Sequence, residues 1–366
     1  MKGRGTASLL PGRYAVHVVA REDDGWTQPG VPPEEPARVP TTVATEIARS
    51  IISRNQSPDI PFEQSINPYR GCEHGCVYCY ARPSHAWLNL SPGLDFETRL
   101  SAKVNAAELL RRELARPGYV PKPINLGANT DPFQPIEDRW QLTHQVLEVL
   151  LECRHPVTIV SKNGRVDREL PILAALAQQG LVHVFLSVTS LDNRLSATLE
   201  PRASAPHRRI AAIAKLSAAG VPASVLVAPV IPAITDAHLE AVLEAARAAG
   251  ARTAGYTLIR LPWEVRPLFE GWLAEHFPQR AAHVMSLIRQ MRDGRANDPA
   301  FGSRMKGKGV FAQLIRTRFH KAAARLGYGR RADITLDSSA FRPPLVVPAR
   351  PVEPAPDSRP RQLRLF

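Results

Sequence analysis

The sequence predicts an α/β fold: a partial (β/α)6 barrel of the TIM type, with a helical C-terminal extension and disordered tails. Three observations carry this expectation. Between residues 59 and 262, short apolar runs alternate with amphipathic runs of helical period, one βα unit every 25 to 35 residues or so. Counting the strand that leads into a cysteine-rich stretch at 72–79, about six such units fit, too few for a complete eight-fold barrel. After Leu261 the alternation stops and only helical patterns follow. The expected divisions are an N-terminal extension, partly disordered, over 1–58; the barrel over 59–262; a basic helical extension over 263–340; and a Pro-rich disordered tail over 341–366.

In order along the chain, residues 1–58 hold turn formers and a Pro-rich acidic stretch from Pro29 to Pro40, with little periodicity beyond Tyr14–Ala20. The pattern then predicts a helix over Lys103–Ala115, a strand over Pro123–Gly127 and a helix over Arg139–Cys153. A strand over Val157–Ser161 precedes a helix over Arg165–Gln179 that stops at Gly180. Strands over Leu181–Val188, Pro222–Val227 and Arg252–Ile259 frame helices over His207–Ala219 and Asp236–Ala249. Trp263–Phe277, Ala281–Arg292 and Val310–Leu326 read as three further helices. The proline content from Phe341 to Pro360 cannot pack a core.

Composition narrows the class. A hydrophobic fraction of 44% suits a soluble globular chain with an ample core. No apolar run approaches the roughly 18 residues needed to span a bilayer, so no membrane association is expected. Pro11, Gly12 and Arg13 interrupt the N-terminal stretch, which therefore does not read as a signal peptide. Four cysteines, three of them clustered, make no disulfide framework and point to a reducing, cytoplasmic setting. The formal net charge is +13. Between Arg280 and Asp333 thirteen Lys/Arg face three Asp, so most of the excess lies in one segment. Such a face marks a polyanion partner, nucleic acid above all, with Arg316, Arg318, Lys321 and Arg325 as its candidate contacts. The alternative is a solvated, Arg-rich surface.

The stretch with the most chemistry is Asn67-Pro68-Tyr69-Arg70-Gly71-Cys72-Glu73-His74-Gly75-Cys76-Val77-Tyr78-Cys79-Tyr80. Cys72, Cys76 and Cys79 are spaced C-x3-C-x2-C in a glycine-bearing loop, so their thiolates can converge on one soft metal centre. A structural zinc site wants four ligands; a zinc knuckle would need His74 or His85 as the fourth. A cubane iron–sulfur cluster on three cysteines leaves one iron open for a substrate or cofactor.

This loop resembles that of the radical S-adenosylmethionine (SAM) superfamily, C-x3-C-x-aromatic-C, with Tyr78 as the aromatic. The TDPFQPIE segment from Thr130, the Ser161-Lys162-Asn163 run and the LEPRA run from Leu199 are similar to the branch that includes spore photoproduct lyase, a DNA repair enzyme. The resemblance implies a [4Fe–4S] cluster and SAM as cofactors. It also implies reductive cleavage of SAM to a 5′-deoxyadenosyl radical, an electron donor such as flavodoxin or ferredoxin, and a substrate in nucleic acid, DNA first.

On the positions that match, Asn129, Thr130 and Asp131 would grip the methionyl amine of SAM, and Lys162 would pair with its carboxylate. Ser187 closes the fourth strand; Glu200 would meet a ribose hydroxyl and Arg202 a carboxylate. Tyr80 is either a radical relay or a packing residue of the loop. The lyase carries a hydrogen-donating cysteine near the end of its second strand. Gly127-Ala128-Asn129-Thr130 has none, and Cys153 falls in the next helix. Together with the run Arg304-Met305-Lys306-Gly307-Lys308-Gly309, this implies a lyase-like relative rather than the lyase itself. Two other readings stay open: radical modification of a peptide or small metabolite, and a zinc-stapled nucleic-acid-binding module without catalysis.

The final residues carry one more expectation. Gln362, Leu363, Leu365 and Phe366 form Q-L-x-L-F, similar to the peptide by which bacterial DNA polymerases and repair proteins dock on the sliding clamp. The alternatives are a tail that folds back on the barrel and a chance match.

Overall fold

The computed structural model describes residues 3–6, 8–15 and 39–344. Gln362, Leu363, Leu365 and Phe366 lie outside the described residues. The strands are β1 (Thr42–Glu46), β2 (Ile52–Arg54), β3 (Gln64–Ile66), β4 (Tyr69–Arg70), β5 (Arg99–Lys103), β6 (Ile124–Leu126), β7 (Val157–Ser161), β8 (Val182–Ser187), β9 (Ala223–Val230) and β10 (Ala254–Leu258). The helices are α1 (Asp95–Thr98), α2 (Ala106–Leu114), α3 (Glu137–Trp140), α4 (Leu142–Glu152), α5 (Leu170–Gln178), α6 (Asn193–Leu199), α7 (Pro206–Ala218), α8 (Leu239–Ala248), α9 (Val265–His276), α10 (Pro278–Gln290) and α11 (Gly309–Arg325).

Seven strands form one sheet in the order β10-β9-β8-β7-β6-β3-β2. Six of them, β3 and β6 to β10, run parallel, and β2 pairs antiparallel with β3 at the edge. This is the six-unit parallel barrel that the alternation predicts. Parallel strands are covered on both faces, so most of their residues are apolar. Ile66, Leu126, Ile159, Val184 and Val225 are buried in successive strands, against Leu110, Val146, Leu173, Ile213 and Leu243 of the surrounding helices. Because all six strands point the same way, their C-terminal ends share one mouth, where the polar loops gather.

A second sheet, β1-β5-β4, braces the entry to the cysteine loop. The helix expected from Lys103 begins only at Ala106, because Arg99–Lys103 pairs with β1 instead. A partner from the N-terminal extension thus overrides local propensity. Asn105 fixes the junction by bonding the backbone of Ala48 through both ends of its amide.

The N-terminal segment also has a place. Arg4 donates to Glu97 O, Val39 O and Thr41 Oγ1, and Gly5 N donates to Glu97 Oε2 at 2.9 Å. Ser91 donates to Leu10 O, and Arg13 pairs with Glu264 at 3.2 Å. The segment therefore runs across the cysteine loop from α1 to the turn before α9. At the other end of the chain, α11 lies on α8. There Arg318 pairs with Glu240 at 2.7 Å and Arg325 with Glu244 at 2.6 Å, while Phe319 packs on Tyr256 of β10.

Candidate active site

The cysteine loop follows β4 directly and is pinned from several sides. Cys72 N donates to Phe96 O at 2.9 Å. Gln134, fully buried, accepts from Glu73 N and donates to Gly71 O. Arg82 is buried and donates to Cys76 O (2.8 Å), Gly75 O (3.0 Å), Pro92 O and Gly93 O. It ends against Glu97 at 3.0 Å, with both side chains at 0% exposure. A buried cation that satisfies four carbonyls and one carboxylate fixes a loop that has almost no regular structure of its own. Gly75 sits at φ +65°, and a Cβ there would meet the Glu97 carboxylate. Neither Gln134 nor the Arg82–Glu97 pair stands out in the sequence, because each partner is identified only by the packing of a distant segment.

Cys72 and Cys76 are buried and Cys79 is half-buried. Burial pushes the Cys72 thiol well up, with further upward contributions from Asp131 and the other two thiols. The Cys76 thiol is pushed up to about 12, by burial first and then by Glu200. Three thiols within electrostatic reach of one another, costly to ionise alone, suit a cationic body that takes all three as thiolates. Among the described residues no three His, Cys, Asp or Glu side chains are grouped to hold a single metal ion. Cys153 is buried at the C-terminal cap of α4, with its carbonyl accepting from Arg342 N.

The ends of the strands supply the rest. Asp131, after β6, is used up structurally. Its oxygens accept from Phe133 N, Ser161 Oγ and Lys162 N at 2.7–2.9 Å, and His74 Nδ1 lies at 3.3 Å. Burial would raise its pKa, but His74 and these donors outweigh it and hold it at about 2. Asp131 thus ties three loops together. Thr130 is buried and donates to Tyr69 O. Asn129, half-buried, lines a cleft with Tyr80, and its backbone is held by the Asn67 side chain. Lys162, at the end of β7, is half-buried with Nζ 5.7 Å from the Tyr78 ring centre, and no hydrogen bond or ion pair reaches that nitrogen among the described residues. Burial works against its charge, but Cys76, Glu200 and Cys79 outweigh it and keep the ammonium ionised. An unpartnered ammonium beside the loop suits a carboxylate such as that of SAM.

Glu200 is fully engaged and does not project to solvent. It accepts from the Tyr78 hydroxyl, from Thr189 Oγ1 at 2.6 Å and from Arg209, in a network that is almost entirely buried. Arg209 also donates to the Ser187 carbonyl, so Ser187 contributes its backbone to this network. Arg209 was the missed member. A signal existed: it falls on the stripe of α7 that otherwise buries Ala212, Ile213 and Leu216. A cation on an apolar face needs a buried partner. Arg202 reaches back to Glu73 of the cysteine loop at 3.0 Å and stays over a third exposed. Tyr80 donates to Ala128 O, has its ring beneath Arg260, and is half exposed. Of the basic residues, Arg318 and Arg325 have carboxylate partners on α8, Arg316 is half-buried toward Tyr256, and Lys321 is exposed.

Residues 66–246 match the radical SAM superfamily. An uncharacterized protein of Mycobacterium tuberculosis is 38% identical over 233 residues, covering 63% of this chain and 68% of the relative. A protein named Radical SAM Nalpha-GlyT isomerase, from a Pseudomonas phage, is 28% identical over 181 residues, covering 47% of this chain and 35% of its own. In fold, the chain is similar to spore photoproduct lyase complexed with dinucleoside spore photoproduct, with a TM-score of 0.55 and 16% identity over 78% of this chain and 79% of that one. The class is that of the radical SAM enzymes, and the chain belongs to that superfamily. Its cofactors are a [4Fe–4S] cluster and SAM, and the residues present are of a kind to suit both: Cys72, Cys76 and Cys79 would hold the cluster, and Lys162 would face the carboxylate of SAM. When bound, these cofactors would supply a 5′-deoxyadenosyl radical able to abstract hydrogen from a substrate. Arg82, Gln134 and the Glu200 network keep the loop rigid around that chemistry, and no described helix is long and apolar enough to cross a membrane.

Proposed function

We propose that this radical SAM enzyme acts on nucleic acid, DNA first, in a lyase-like repair or modification reaction. The observation that carries the reading is Arg260, at the mouth just beyond β10. It is half-buried, lies 5.6 Å over the Tyr80 ring, and has no carboxylate at ion-pair distance and no partner for Nε among the described residues. Its pKa is lowered by burial and then by Arg304, which is itself paired with Asp59 at 2.5 Å. Behind it Arg292 is buried and pushed down to about 10, chiefly by burial, with Arg260 adding to the effect and Asp298 offsetting part of it. Crowded guanidiniums repel one another; Asp59 and Asp298 offset part of that repulsion, and a further anion at Arg260 would offset more. A phosphodiester beside the cysteine loop supplies that anion, and Arg is the residue suited to it. The names of two similar proteins, one with a dinucleoside photoproduct and one an isomerase of GlyT, accord with this reading.

Two partner assignments belong to the same proposal. A flavodoxin or ferredoxin delivers the electron, and the Q-L-x-L-F residues dock on the sliding clamp; a peptide covering Arg359–Phe366 tests the latter by its affinity for purified clamp. The substrate is tested with anaerobically reconstituted protein, SAM and deuterated oligonucleotides. Deuterium in 5′-deoxyadenosine is expected with DNA. Transfer from a peptide or small metabolite, and none from DNA or RNA, overturns the nucleic-acid reading.

A further inference from the structure

Four aromatic side chains stand in solvent beside the cysteine loop: Trp87 (70% exposed), Trp263 (68%), Tyr80 (50%) and Tyr14 (43%). They come from three separate parts of the chain: the N-terminal segment, the turn after the cysteines and the turn before α9. They meet around one cleft of about 260 Å³, which Arg13 and Asn129 also line. The volume is just below the range of about 300–1,000 Å³ for pockets that take a whole drug-sized ligand, so it suits a single ring system.

The cleft is held in shape. Tyr14 and Trp87 pack with ring centres 4.7 Å apart. The Arg13 guanidinium lies 4.1 Å from the Trp263 ring centre and 5.1 Å from that of Tyr14, anchored by Glu264 at 3.2 Å. Trp263 holds φ at +45°, a conformation that a bulky residue adopts only when its surroundings impose it. Two exposed tryptophans, Trp263 in a strained turn and Trp87 in a short 3-10 helix, with an arginine stacked between segments, are poor candidates for core packing. Flat π faces and a guanidinium plane are what an unstacked base needs, and Asn129 offers an amide to its edge.

We infer that this cleft holds one nucleobase turned out of its strand, stacked on Trp87 and Trp263, with the adjoining phosphate at Arg260. The inference rests on the nucleic-acid reading above. An enzyme whose target lies on a base must take that base out of the stack, and a cleft next to Cys79 and Tyr80 places it beside the reacting centre. Stacking tolerates any base, so the cleft provides grip, and the selectivity comes from the ease with which a damaged or unpaired base leaves the helix.

The test uses the full chain with its cluster reconstituted, labelled DNA and RNA single strands, and the same strands made abasic at one or at every position. Trp87→Ala and Trp263→Ala are expected to weaken binding of the complete strand by about tenfold or more. Neither should change binding of the fully abasic strand, and Trp263→Phe should restore most of the loss. Iron content and SAM affinity are expected to stay as in the unaltered protein. Equal weakening of complete and abasic strands overturns the inference, as does a fall in SAM affinity that tracks the loss, which would make the cleft a SAM site. Unaltered protein that binds strands normally while both tryptophan variants match it overturns the cleft alone. Unaltered protein that binds neither DNA nor RNA overturns the nucleic-acid reading and the cleft with it.

Discussion

At the scale of single residues, the cysteines divide sharply by place. Cys72, Cys76 and Cys79 share one loop, and Cys153 is buried at the C-terminal cap of α4. Cys72→Ala, Cys76→Ala and Cys79→Ala are each expected to lose the brown iron–sulfur absorption after anaerobic reconstitution, while Cys153→Ala keeps it. A Cys153 variant that alone lost the colour would show the ligand assignment to be wrong. Lys162 allows a second test. Among the described residues its ammonium has no carboxylate at ion-pair distance, so Lys162→Ala is expected to weaken SAM binding by about 1–3 kcal/mol while iron content holds; equal affinity by equilibrium dialysis would return Lys162 to the role of a turn residue. That the cysteines and Lys162 lie near one another was legible because the signal is local, a spacing and a position after a strand. Asp131 was legible as an important residue but not in its task. Its carboxylate holds the backbone of Lys162 and the hydroxyl of Ser161, contacts that depend on how β6 and β7 lie side by side. Glu200 is similar: the motif marks it, but Tyr78, Thr189 and Arg209 meet it only in the folded chain.

At the scale of elements, the barrel could be read in advance because each strand and helix carries its own period, and the register follows once parallel neighbours bury apolar faces. The bracing of the loop could not. Residues 3–6 and 8–15 have little periodicity, and their placement comes from partners as distant in sequence as Glu264. The same holds for Arg82 and Glu97, a pair at 0% exposure whose value is set by five acceptors gathered from three segments. Replacing Arg82 alone by Met strands the Glu97 carboxylate in the interior, so a loss of about 3–5 kcal/mol is expected in chemical denaturation. The double change, Arg82→Met with Glu97→Gln, is expected to recover part of that loss, because no buried charge is then left unpaired. Its cluster should still be retained less well than in the unaltered protein, since the Gly75 and Cys76 carbonyls have lost their donor. A double variant as unstable as the single one would mean that the carbonyl contacts, not the ion pair, carry the stability.

At the scale of the whole molecule, part of the basic excess that lies in the C-terminal segment of this +13 chain is already paired. The basic helix α11 uses part of its charge to dock on α8, where Arg318 meets Asp236 and Glu240, and Arg325 meets Glu244. These pairs are partly exposed and individually contribute little, but they give both cations anionic neighbours before any phosphate arrives. Lys321 on the same helix and Arg260 at the mouth have no such partner among the described residues. Binding of a polyanion releases about one counterion for each phosphate neutralised, so the slope of log affinity against log salt counts the cations that make contact. Lys321→Ala and Arg260→Ala are therefore each expected to flatten that slope for DNA by about one unit. Arg318→Ala with Arg325→Ala should leave it nearly unchanged while lowering thermal stability slightly. A double α11 variant that flattened the slope by about two units would mean that α11 abandons α8 for the phosphates, and that the basic helix, rather than the mouth of the barrel, is the main nucleic-acid face.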